Sequence, residues 1–345
     1  MAYPKKNFSI ELFADEGCSI PLNESFRKWG EHNNYVLKAN YIDPLHSRNI
    51  VCANLWADIV RNRADFDSLP VELKNSPNMG AIDGFPIKVY ANGNYEGLYT
   101  WNIPKCDWQF GLDTSNVNHV LLSSEFNDNG LAENKTNPCN FNAYWDGDEK
   151  YWSVDVGVLN AELIENLNSG IIQPIINADA TSLENSLDIQ SAIDYFIFQD
   201  VIGGIDGLAK NMLLVTYDMN KWYMSAYDLD ATFDLWWEGG LRNNPTIVMP
   251  IEYLNTDSRL LFFISEIYGL RYLERYRELR NTVLSASNII SMFERFNSVA
   301  NEDIRIMDIL PYPNIPDITG NTMTALRNFI LARLAYLDEK YGLGV

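Results

Sequence analysis

Residues 205–234 read IDGLAKNMLLVTYDMNKWYMSAYDLDATFD, and the order of elements in this stretch decides the fold. Met212 to Tyr217 and Trp222 to Ala226 are short apolar runs bounded by turn residues, which is the pattern of two strands. Asp218-Met219-Asn220 joins them, so the chain returns beside the loop that begins at Asp206. At the far end of this hairpin stands Asp228-Leu229-Asp230. Immediately upstream, Leu187 to Ile202 (LDIQSAIDYFIFQDVI) is apolar on most faces, the mark of a helix buried in the centre of a lobe, and it stops at Gly203-Gly204.

Asp206 and Asn211 are five residues apart, the Asp-to-Asn interval of the kinase catalytic loop H-R-D-x-x-x-x-N. Taken alone, an Asp and an Asn in a Gly-containing loop are more often turn residues, and Asp230 can equally cap a following helix. What strengthens the pattern is its sequel. Buried helix, loop, hairpin and aspartate follow one another as they do in kinases. Phosphoryl transfer needs little covalent chemistry from the protein, so the site must place a hydroxyl and hold metal ions against phosphates. Asp206 would orient that hydroxyl and accept its proton. Asn211 offers a carbonyl oxygen and Asp228 a carboxylate, the hard ligands that magnesium prefers. Lys210, beside Asn211, is placed to steady the transferring phosphoryl charge.

Working toward the N-terminus, Phe8 to Phe13 (FSIELF) and Tyr35 to Ala39 (YVLKA) read as strands. Asp43-Pro44 then predicts the start of a helix that runs to Arg61. Phe85 to Tyr90 and Tyr95 to Trp101 flank Asn92-Gly93, a strong hairpin signal. Between Thr114 and Asp188 the signals weaken into loops with two helices, one over Asn160 to Ser169. The C-terminal part is helical, over Ser258 to Tyr268, Leu270 to Leu284, Ser287 to Ala300 and Thr322 to Tyr341. The expected architecture is α+β and bilobal, with a strand-rich N-lobe over residues 1–113 and a helical C-lobe over 114–345.

Of 345 residues 47% are hydrophobic, enough to bury a sizeable core. A net charge of −20 repels phosphate backbones and anionic lipid, which argues against nucleic acid and membrane surfaces and for a basic partner or a bound cation. The cysteines at 18, 52, 106 and 139 form no CxxC pair, and three histidines supply no zinc spacing, so reduced thiols are expected. The start MAYPKKNFSIELF lacks the unbroken apolar core of a signal peptide, and no apolar run approaches a membrane span. The expected location is therefore the cytoplasm.

The runs FQDVIGGIDGLAKNMLLV, KWYMSAYDLDATF, YVLKANYIDPLHSRN and GFPIKVYANGNYEGLYTWNIPK closely resemble the spore-coat-protein-H-like (CotH) kinase family, from Lys5 to the final helix. The resemblance implies an atypical protein-kinase-like fold, ATP with Mg or Mn, and phosphorylation of Ser or Thr in a protein. It makes Asp206 the catalytic aspartate, Asn211 its amide, Asp228 the metal ligand and Asp230 its neighbour. Lys38 matches the position of a nucleotide-phosphate lysine, and Arg48 an arginine common to the family, grouped here with the cofactor contacts. No GxGxxG cradle is present, and Asn102 stands where relatives often carry an acidic residue. The TWNIPK variant is similar to copies associated with bacteriophage tails, so incorporation into a virion or spore coat is a further expectation. The competing expectation is an inactive binding or structural module that keeps the fold, which the aromatic content would serve. A calcium-stabilised structural protein using Asp228 and Asp230 has no EF-hand loop to support it.

Overall fold

A computed structural model describes residues 3–125, 152–208, 210–246, 259–316 and 320–343. It is a mixed α+β structure built on two four-stranded antiparallel sheets. The first sheet draws on strands β1 (Phe8–Glu11), β4 (Asn34–Lys38), β5 (Gly84–Ala91) and β6 (Asn94–Asn102), in the order β1-β4-β6-β5. The short strands β2 (Glu24–Ser25) and β3 (Glu31–His32) pair with each other between β1 and β4 in sequence. Asn92 and Gly93 take φ of 50° and 83°, the two positive angles of a type I′ turn, so the β5–β6 hairpin closes where the sequence signals it.

Between β4 and β5 runs the helix Arg48–Arg61. Its inner residues Ile50, Leu55, Trp56 and Ile59 are buried, and it presses on the sheet so closely that a Cβ at Gly84 would come within 2.8 Å of Ile50. The helix starts four residues later than Asp43-Pro44 predicts. The reason is local: His46 takes φ of 55°, outside the helical range, and the His46 N–H closes a tight turn onto the Asp43 carbonyl at 2.8 Å. Asp43 still serves the helix from outside, because its carboxylate accepts from the Ser47 and Arg48 N–H groups at 2.9 and 2.8 Å.

The second sheet has the order β10-β9-β7-β8. Its strands are β7 (Val120–Glu125), β8 (Trp152–Val156), β9 (Lys210–Thr216) and β10 (Trp222–Ala226). The last two are the predicted hairpin. The first two lie in the segment that the sequence reads as loops and helices. β7 sits between two partners with Leu121, Leu122, Ser123 and Ser124 all buried, so it shows no alternation of polar and apolar residues.

The helix Ile189–Ile202 is buried along almost its whole length, with Asp188 capping its start and Gly203 in the left-handed conformation at its end. Arg275 reaches it from the helix Arg259–Arg280 and donates to Asp194 at 2.7 Å. Tyr268 leaves the helical range (φ −112°, ψ 19°), so two helices meet there across a kink, at the break that the sequence predicts. Helices Ala286–Val299 and Met323–Lys340 complete the C-terminal part close to their predicted bounds. Ser258 and Cys139 lie outside the described residues. Among the described residues no helix is long and apolar enough to cross a membrane.

Candidate active site

In β4, Tyr35 and Leu37 point into the apolar clusters under the first sheet, and the period of two puts Asn34, Val36 and Lys38 on the opposite face. Lys38 ends the strand. Its ammonium donates to Asp228 Oδ1 at 2.8 Å and lies 3.9 Å from Asp230 Oδ2, although 190 residues separate Lys38 from Asp228. Burial opposes the charge on Lys38, but Asp228 and then Asp230 outweigh it, so the lysine's pKa is raised and the group is a fixed cation.

Asp230 is in the reverse position. Burial first and the Asp228 charge second push its carboxyl up to about 7, against the pull of Lys38, with Asp43 and Asp206 adding to the rise. Among the described residues Lys38 is therefore shared by two carboxylates, of which Asp230 holds its charge the less readily. Asp228 is the more open of the two carboxylates, at 34% exposed against 19% for Asp230.

The 228–234 turn is held by one end of the Arg48–Arg61 helix. The Leu229 N–H donates to Asn49 Oδ1 at 3.0 Å, and Thr232 Oγ1 donates to the Leu229 carbonyl at 2.9 Å. Arg48 Nε donates to the Thr232 carbonyl at 2.9 Å, while its other nitrogens reach Asp43, the Phe233 carbonyl and Asn321. Arg48, which the resemblance led us to group with the cofactor contacts, thus has its bonds to protein groups. Its side chain is 1% exposed and its donors are committed to protein oxygens, so it positions the aspartate turn from behind. Arg48→Ala leaves Asp43 buried without its cation and should cost about 3–5 kcal/mol of stability. Chemical denaturation checks this, and a loss under about 1 kcal/mol would show the network to be dispensable.

Asn211 and Asp228 stand at the open end of the β9–β10 hairpin. The Tyr227 N–H donates to the Asn211 carbonyl at 3.2 Å, one step beyond the Met212–Ala226 pair. Both residues take positive φ, 62° and 53°. Asn and Asp tolerate this left-handed region better than bulkier residues. Asp206 is exposed on the 3₁₀ turn Ile205–Leu208, and its charge is felt at Asp230. Lys210 pairs through its backbone with Glu125 of β7, and its side chain lies outside the described residues.

Several neighbours carry no signal in the sequence. Lys105 Nζ lies 3.1 Å from Asp155 and 5.1 Å from the centre of the Tyr227 ring, and it donates to Ser123 at 2.9 Å. Lys105 is in the quoted TWNIPK run, but Asp155 is reached only through the unforeseen strand β8. A cavity of about 560 Å³ opens beside the first residues of β4, lined by Ser9, Ile10, Asn34, Tyr35, Val36 and Pro104 among others. Asn102 is buried with its amide against Gly84, where an acidic side chain would have to lose its charge or find a cation.

Among the described residues no group of three or more His, Cys, Asp or Glu side chains is gathered as a metal site. The set at hand is two carboxylates and the Asn211 amide. This suits a small hard cation, because magnesium commonly takes one or two carboxylates and completes its shell with water and phosphate oxygens. A cation there would favour the charged form of Asp230, whose carboxyl is pushed up by burial and then by the Asp228 charge. Compared with protein-family models, residues 1–337 match the one described as CotH kinase protein. Comparison with curated proteins gives no match.

Proposed function

The chain belongs to the CotH kinase protein family, and we propose that it transfers the γ-phosphoryl group of ATP to Ser or Thr hydroxyls of a protein. In this reading the sheet that carries Lys38 and the sheet that carries Asn211 stand as the two lobes of an atypical kinase-like fold. The observation that supports it is the 2.8 Å contact between Lys38 and Asp228, which brings together across the chain the two residues that this reading assigns to phosphate and metal.

The base and sugar of ATP would occupy the cavity beside Val36 and Pro104, with the phosphates directed along the strand face toward Lys38. Lys38 then exchanges part of its contact with Asp228 for phosphate oxygens, and remains charged throughout. Held by Asp228, Asp230 and the side-chain amide oxygen of Asn211, Mg or Mn would neutralise charge on the phosphate oxygens. Asp206 receives the acceptor hydroxyl as a hydrogen-bond donor. The hydroxyl oxygen bonds to the γ-phosphorus as the bond to the β–γ bridging oxygen breaks, and the hydroxyl proton passes to the Asp206 carboxylate. Arg48 and Asn49 keep the aspartate turn from yielding while the charge moves.

The test is incubation with ATP and Mg or Mn, read by mass spectrometry as phosphate on the protein itself or on a Ser-rich basic peptide. Failure of both metals with both acceptors would leave the inactive binding module as the better reading. Charge directs a second expectation. A chain at −20 should favour acceptors flanked by Lys or Arg, with a rate that falls as salt rises past roughly 0.1 M, where the Debye length is about 10 Å. Matched peptides that differ only in flanking Lys or Glu check this at low and high salt. Equal rates, or a preference that survives high salt, would remove long-range steering as the cause.

A further inference from the structure

The turn that presents Asp206 is filled from below by a side chain that has no part in the scheme above. Tyr195 and Gln199 lie one turn apart on the Ile189–Ile202 helix, both buried. The Tyr195 hydroxyl donates to the Gly207 carbonyl at 2.6 Å. The backbone closes tightly over this pair, with the Gly204 N–H on the Gln199 carbonyl and the Gly207 N–H on the Gly204 carbonyl, each at 3.1 Å. The carboxamide of Gln199 occupies the hollow that remains. A Cβ on Gly204 would overlap its oxygen, and one on Gly207 would come within 2.5 Å of its Cδ. Neither glycine has a positive φ, so it is the space taken by the amide that keeps both positions bare.

Gln199 is 1% exposed, yet among the described residues its Oε1 makes no hydrogen bond in this state and the amide has only the Tyr195 hydroxyl beside it. Leaving a buried amide unsatisfied costs free energy that a methionine or leucine of similar volume would not. Such a group calls for an explanation, and use by another state of the protein is one. Among the described residues, the backbone that lies against this amide and bears on the chemistry is the 204–207 turn. We propose that Gln199 is a positioning residue for Asp206, whose amide bonds the 204–207 backbone when nucleotide and acceptor occupy the site and so fixes the direction of the carboxylate. The inference rests on the role given to Asp206 in the kinase reading.

Gln199→Met keeps the volume and removes the polarity. Its melting temperature should equal or exceed that of the wild type, while kcat falls about tenfold or more and the KM for ATP changes by less than roughly twofold. A residue that only supports the fold gives the opposite pattern. Gln199→Leu, as a second apolar variant, should behave in the same way. Wild-type kcat in either folded variant overturns the proposal. So does a drop of more than about 5 °C in both, since the amide would then serve the resting fold. A wild-type protein that transfers no phosphate is a different failure, visible before any variant is made, and it takes this inference down with the kinase reading.

Discussion

Asp206→Asn should lower kcat for phosphoryl transfer by about 10²–10⁴-fold while the KM for ATP and the melting temperature stay near wild type. The size follows from what is lost. An amide of the same shape can still accept a hydrogen bond from the acceptor hydroxyl, but it cannot take the proton. Stability should hold because Asp206 is exposed on its turn. Steady-state kinetics with a peptide acceptor measures the change, and an unaltered kcat would return Asp206 to the status of a turn residue.

Asp228→Ala should abolish the thermal stabilisation that ATP with Mg confers on the protein. A ligand that binds only the native state stabilises it by mass action, about 2.7 kcal/mol at a hundred times Kd. Removing Asp228 takes away the more open carboxylate and the 2.8 Å partner of Lys38 together. The variant itself should fold, because the turn remains held through Leu229 and Thr232 by Asn49 and Arg48. Differential scanning fluorimetry with and without ATP and Mg decides the matter. An equal shift in mutant and wild type would make Asp228 a structural residue only.

The residues named from the sequence do not share one fate in the structure. Lys38, Asp228 and Asp230 meet within 3.9 Å, and Asn211 lies against the start of the same turn. Arg48 goes elsewhere. Its position in SRN, next to the start of a helix, reads equally well as a ligand contact or a buried clamp. Only the carbonyls of Thr232 and Phe233, some 185 residues away, distinguish the two. Gln199 was hidden for a related reason. A glutamine inside an apolar helix carries no motif, and its meaning comes from the turn folded back over it.

Taken by itself, the sequence determined those elements whose cause is local. The Asn92-Gly93 hairpin, the hairpin over 210–226, the buried helix before Gly203 and the C-terminal helices follow from turn chemistry and from periods of two and 3.6 residues, which act within a few residues of chain. The tertiary structure alone decided the entry of β7 and β8 into the second sheet. It alone placed Arg48 behind the aspartate turn and Lys38 against Asp228. Those outcomes depend on which distant surfaces pack together, and packing free energy is summed over contacts between segments far apart in the chain, where no local pattern records them.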